Sequence, residues 1–183
     1  MDPEPVRSED VTATTATVPA TATEAFDFDA LYREARDDVF AYTATLLRDN
    51  AAAEDVTAQA FERAYKKRSR FNARRGSPRA WLFGIARNAA LDELRRHKRA
   101  AEAQIPGPTQ EPGPDEAAEF AAERDAVRAA LSRLPAKDRE VIALKYHAEL
   151  SNTELGAVLG VSPTNAGTLL HRAMTKLREA VDA

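Results

Sequence analysis

The 183-residue chain carries 26 Lys and Arg against 29 Asp and Glu, a formal net charge of -3, with 44% hydrophobic residues and no cysteine. The missing thiols exclude a disulfide framework and thiolate metal sites. No apolar run reaches the roughly 18 residues of a membrane span, and the start, MDPEPVRSED, lacks the basic and apolar parts of a secretory signal. A soluble cytoplasmic protein without membrane insertion is expected. Few β-branched runs and only 7 Gly, against abundant Ala, Leu, Arg and Glu, predict an all-α fold.

Residues 1–25, rich in Thr, Ala and Pro, have no helical period and too little apolar surface to offset the entropy of ordering. They are expected to form a disordered tail. From Asp27 the spacing of Phe28, Leu31, Tyr32, Ala35, Val39, Tyr42 and Leu46 predicts an amphipathic helix. Asp49-Asn50 supplies turn and cap chemistry. A second helix is expected from about Ala51 to Arg68, with Val56, Ala60, Phe61, Ala64 and Tyr65 on one face. Ser69 to Gly76 breaks the period and reads as a loop. Ser77-Pro78 then opens a third helix, a capping hydroxyl followed by Pro at the first helical position. Trp81, Leu82, Ile85, Ala89 and Leu94 are expected to face inward.

The stretch Phe61 to Arg99 gathers Arg63, Lys66, Lys67, Arg68, Arg70, Arg74, Arg75, Arg79, Arg87, Arg95, Arg96, Lys98 and Arg99 against three acids, Glu62, Asp92 and Glu93. It also holds the single Trp, Trp81, together with Phe61, Phe71, Phe83 and Tyr65. In an acidic protein this local distribution says more about partners than net charge does. Cations interleaved with aromatics suit a nucleic-acid strand with splayed bases.

Pro106, Gly107, Pro108, Pro112, Gly113 and Pro114 mark residues 100–114 as a flexible linker. Two small helical domains are therefore expected, 26–99 and 115–183. In the second, helices should run over about Asp115 to Arg133 and Lys137 to His147. Ser151-Asn152-Thr153-Glu154 is a capping box. Gly160 can end the short helix that follows, and Ser162-Pro163 opens the last one. Helix, short turn with Gly, helix is the helix-turn-helix outline.

No catalytic, cofactor-binding or metal-ligating constellation stands out. His97, His147 and His171 lie in separate helices without ligand spacing, and there is no phosphate-binding glycine loop. A non-enzyme is expected.

Three stretches carry a resemblance to the small extracytoplasmic-function (ECF) group of bacterial RNA polymerase sigma factors. They are AEDVTAQAFERAY at 53–65, WLFGIARNAALDELRR at 81–96 and LPAKDREVIALKYHAELSNTELGAVLGVS at 134–162. The resemblance implies that the second helix docks on the clamp helices of the polymerase's largest subunit through Glu54, Asp55, Gln59 and Glu62, with Phe61 and Tyr65 in the core. It implies that the next loop and helix melt the −10 promoter element and hold one non-template base in a pocket lined by Phe71 and Asn88. Arg74, Arg75, Arg79, Arg95, Arg96 and Arg99 would then track phosphates.

The second domain resembles the reader of the −35 element, with Ser162, Thr164, Asn165, Thr168, His171, Arg172 and Lys176 as its polar set. Family members commonly have a basic residue where Gly167 and Leu169 stand, and a β-branched one where Ala166 stands. Gly167 suggests close approach to DNA or a local softening of the helix. The implied partners are core polymerase, including the flap of its second-largest subunit, promoter DNA and an anti-sigma protein. A stand-alone helix-turn-helix regulator would explain 151–181 but leave 61–99 without a role. A helical interaction module with a merely solvated basic face is a third reading.

Overall fold

A computed structural model describes residues 26–103 and 121–182. Its helices are α1 (Phe28–Leu47), α2 (Asn50–Lys67), α3 (Pro78–Ala103), α4 (Ala121–Arg133), α5 (Ala136–Tyr146), α6 (Asn152–Leu159) and α7 (Pro163–Asp182), with 3-10 turns at Arg68–Arg70 and Ala73–Arg75. The expected tail, and most of the expected linker, fall outside the described residues.

Capping chemistry sets most helix boundaries. The Asp27 carboxylate accepts from the Asp29 and Ala30 amides to start α1, which ends on left-handed Arg48. Asp49 accepts from the Ala52 amide to start α2 at 3.0 Å, and Ser77 Oγ accepts from the Ala80 amide to start α3 at 3.1 Å. At α6 the Ser151 hydroxyl accepts from the Glu154 amide while the Glu154 carboxylate accepts from the Ser151 amide, a complete capping box. Helix α3 outlasts the expectation. It runs to Ala103, through residues assigned to the linker, because Ala100 to Ala103 are strong helix formers and the first proline is Pro106.

Helices α1 to α3 pack around Leu31, Val39, Tyr42, Val56, Phe61, Leu82 and Phe83. The hydroxyls of Thr43 and Thr57, both buried, meet at 3.1 Å and pin α1 to α2. Tyr65, expected in this core, is 51% exposed. It sits in the last turn of α2, touching Phe28 edge-on and lying under the Arg68 guanidinium, 3.8 Å from its ring centroid. Phe83, not among the inward positions expected, is fully buried against Tyr42.

The two helical units are docked on one another. Val141, Ala143 and Leu144 of α5, Leu150, Leu155 of α6 and Ala166 of α7 continue the same apolar core as α1 to α3. A smaller cluster of Leu134, Ile142 and Ala173 ties α4, α5 and α7 together.

The helix-turn-helix closes on two glycines. Gly160 ends α6 with φ +73°, the left-handed region that favours glycine. Gly156, one turn earlier, lies so close to the turn that a Cβ there would stand 2.7 Å from the Val161 carbonyl oxygen. A backbone oxygen cannot yield as a flexible side chain can. Gly156→Ala is therefore expected to destabilise the fold by about 1–3 kcal/mol, read as a lowered thermal midpoint with native helicity retained below it.

Candidate nucleic-acid interface

The loop between α2 and α3 is basic at its tip and apolar at its root. Asn72 accepts from the Arg74 amide at 2.9 Å and shapes the second 3-10 turn. That turn holds Arg74 and Arg75 in solvent, with no acidic partner for either among the described residues. At the root, Phe71 is only 6% exposed. Its ring meets Trp81 at 5.6 Å and Phe26 at 4.8 Å, both edge-on. Phe71 is thus a buried wall of the loop in this arrangement, where the sequence suggested a ring open to a base.

Helix α3 extends this surface. Trp81, Asn88 and Arg95 recur every seven residues, two helical turns apart, and so share a face. Trp81 is half-buried at the loop, while Asn88 and Arg95 are exposed. Arg95 pairs with Asp92 at 2.9 Å, Arg96 with Glu93 at 2.6 Å, and Arg99 donates to the Arg95 carbonyl. The Asp92 pair is exposed on both sides, so solvent screens it and a phosphate can replace the carboxylate at little cost. Arg79 departs from the expectation. It pairs with Asp38 of α1, and its side chain retains 25% exposure.

On α2, Asp55, Gln59 and Glu62 follow at helical spacing along one polar face. Glu54 lies beside them, in a groove shared with Tyr32, Arg36 and Phe40 of α1. The Lys66 ammonium, hydrogen-bonded to Glu62, holds that carboxyl below its ordinary range. At the far end of the chain, Thr164, Asn165, Thr168, His171 and Arg172 are all exposed along one side of α7. Ser162 is occupied as the cap, accepting from the Asn165 amide, and Lys176 pairs with Asp138 at 2.6 Å. Gly167 faces inward. A Cβ there would stand 3.3 Å from Asn152 Nδ2 of α6, a close contact that a small shift of that side chain would relieve.

A three-helix unit carrying a basic aromatic loop, followed by a helix-turn-helix with an open polar face, has a known counterpart. The Sigma-70 region 2 model matches residues 31–100 and the Sigma-70, region 4 model matches 124–177. The chain is 33% identical over 165 residues to the ECF RNA polymerase sigma factor SigL of Mycobacterium tuberculosis, covering 87% of this chain and 91% of that one. It belongs to the ECF RNA polymerase sigma factors. Two solved structures share the fold. The sigma factor RpoE of Bartonella quintana, in complex with the anti-sigma factor NepR, superposes with a TM-score of 0.69 at 22% identity, covering 86% of this chain and 98% of that one. CnrH, in complex with the cytosolic domain of CnrY, gives 0.60 at 26% identity, covering 85% and 87%.

In this sigma factor the start of α3 is also the seat of region 4. Arg79 Nη2 donates to Asp38 Oδ2 of α1 at 2.6 Å and to the His147 carbonyl at 2.8 Å, and Nε donates to the Ala148 carbonyl at 2.8 Å. One turn of α1 and the end of α5 are thereby joined through a single guanidinium. Two helical turns on, Arg87 pairs with Glu140 at 2.7 Å, with side-chain exposures of 22% and 10%. The Ser77 hydroxyl donates to Glu154, which lowers that carboxyl from its ordinary range. Sequence reading assigned none of these contacts. The one available signal was Arg79 and Arg87, spaced to share a helix face that also carries the apolar Phe83.

His147 closes the seam, its Nε2 3.4 Å from the Thr45 hydroxyl. Burial holds its pKa below the ordinary value, against a smaller opposing pull from Asp38. The unfolded chain therefore takes up a proton near pH 6.5 that the folded chain does not. Stability should fall as pH drops through about 6.5, and His147→Gln should flatten that limb. Thermal midpoints recorded from pH 8 to pH 5 in both proteins check this, and a parallel decline in the two would refute it.

Proposed function

We propose that this sigma factor, with no catalysis of its own, acts in the cytoplasm on core polymerase and reads a promoter in two parts. Region 2 captures the −10 element as a single strand and region 4 reads the −35 element as a duplex. The carrying observation is the exposure of Arg74 and Arg75 on the loop and of Asn88 and Arg95 along the face of α3 that begins at the Phe71–Trp81 root. Phosphates follow the arginines, and an unstacked base can be held near Asn88. Thr164, Asn165, Thr168, His171 and Arg172 supply a separate reading face on α7, Asn165 suiting adenine. Arg96 and Arg99 extend the phosphate track. Lys176 reaches a phosphate only by leaving Asp138, and Ser162 contributes through its cap.

Glu54, Asp55, Gln59 and Glu62 are the face offered to the clamp helices of the largest subunit. The apolar cleft lined by Leu131, Ile142, Tyr146, Met174 and Leu177 suits a helix of the flap. CnrH, solved in complex with the cytosolic domain of CnrY, supports a protein partner for this chain, which we read as an anti-sigma factor. Exchanging Arg74 and Arg75 for Glu is expected to reduce promoter-dependent transcription at least about tenfold, while the protein still co-purifies with core polymerase. Loss of polymerase binding instead would argue against this division of surfaces.

The docking of the two regions favours a second reading, that this arrangement is a resting form. Elements centred 10 and 35 base pairs upstream lie roughly 85 Å apart at about 3.4 Å per step. Halves joined through Arg79, Arg87 and Ser77 cannot span that separation. Arg87→Ala would leave the Glu140 carboxylate buried and unpaired, a penalty of about 2–5 kcal/mol on the docked state. The expected outcome is a larger radius of gyration by solution scattering with helicity unchanged; an unaltered radius would refute a latch at this pair.

A further inference from the structure

Phe26 stands immediately before Asp27, the cap of α1, in non-helical backbone. Its ring lies 4.8 Å from Phe71 and 5.6 Å from Trp81 between centroids, both contacts edge-on, and completes a three-ring cluster at the root of the basic loop. Phe71 belongs to the loop and Trp81 to the first turn of α3. Of the three rings, Phe26 alone comes from outside the loop and α3.

We propose that Phe26 is a removable cover over Phe71 and Trp81, held there without DNA and displaced when an unstacked base arrives. This rests on the reading of the loop as the −10 capture site. Phe26 occupies the space beside the Phe71 and Trp81 rings, so a nucleobase stacking on that pair from the same side would have to displace it. Edge contacts between aromatic rings and the stacking of a base on aromatic side chains are of comparable strength, so a base can exchange with the Phe26 ring. Departure of Phe26 also leaves α1 intact. The helix starts with Asp27, whose carboxylate and carbonyl serve the Asp29, Ala30 and Leu31 amides, and no described helical hydrogen bond uses the Phe26 backbone. A cover of this kind raises the threshold for base capture, because a base must compete with a tethered ring before the pocket opens. Phe26 sets that threshold and is distinct from the pocket lining.

Trp81 is the only tryptophan in the chain, so its emission reports the cluster directly. Full-length wild type, Phe26→Ala and Phe26→Leu would be titrated with a mixed-sequence single-stranded DNA 12-mer, each with and without Asn88→Ala, after circular dichroism has shown native helicity. Phe26→Ala should red-shift Trp81 emission without DNA and bind the oligonucleotide about tenfold more tightly, with Phe26→Leu between it and wild type. Equal or weaker binding by Phe26→Ala, with binding still lost on Asn88→Ala, would overturn the cover and leave the capture site standing. A gain that survives Asn88→Ala would support the cover and remove Asn88 from the pocket. No quenching in any variant, or failure of both Phe26 variants to fold, would overturn the proposal.

Discussion

The first turns of α3 hold the molecule together and also hold its nucleic-acid surface. Within eleven residues, Ser77, Arg79 and Arg87 reach Glu154, Asp38 with two backbone carbonyls, and Glu140. The same turns carry Trp81 and lead to Asn88 on the opposite side. At Arg87 the partner, Glu140, would otherwise be buried without a donor, so that contact is maintained by the cost of leaving it unmade more than by attraction, whereas Asp38 at Arg79 is 43% exposed. The apolar continuity from Leu82 and Phe83 through Leu144 and Leu155 supplies the driving force, and the polar contacts fix where it is applied.

Charge is organised by the same economy of position. The chain is acidic overall, yet thirteen of its cations lie between Phe61 and Arg99. Those at the loop tip face solvent, Arg95 on α3 is in an exposed pair, Arg96 is held by the buried Glu93, and two on the inner side are consumed by region 4. One basic stretch thus does three kinds of work, separated by helical phase: presentation at Arg74 and Arg75, exchangeable pairing at Arg95, and internal fastening at Arg79 and Arg87.

What could be read without the structure was whatever depends on near neighbours. Ser77-Pro78, Asp49 and the Ser151–Glu154 box announced their helix starts because a cap is made within three residues of itself. The family and its two regions were legible because their motifs are contiguous. Failures came where a residue's role is set from far along the chain. Arg79 was expected to contact phosphate, and in this docked arrangement Asp38 and the end of α5 hold it instead. Phe71 looked free between Arg70 and Asn72, but Phe26 lies across it. Gly167 suggested close approach to DNA or a softened helix, and its nearest neighbour across the turn, Asn152, could not be read from the sequence. Gly156 passed without remark, since only the returning Val161 carbonyl shows why no Cβ fits. The linker boundary slipped because four helix formers gave α3 no reason to stop.

The Arg79 seat also makes two equilibria inseparable. One planar guanidinium serves a carboxylate and two carbonyls at once, a geometry that the point charge of a lysine does not reproduce. If Arg79 is to meet a phosphate, it must first relinquish all three acceptors. Whatever tightens its grip on α1 and α5 then weakens its hold on a promoter by the same factor, and DNA loosens the seam in return. Sensitivity to an effector can therefore be set at either end of one side chain, without any change to the surface that reads the sequence.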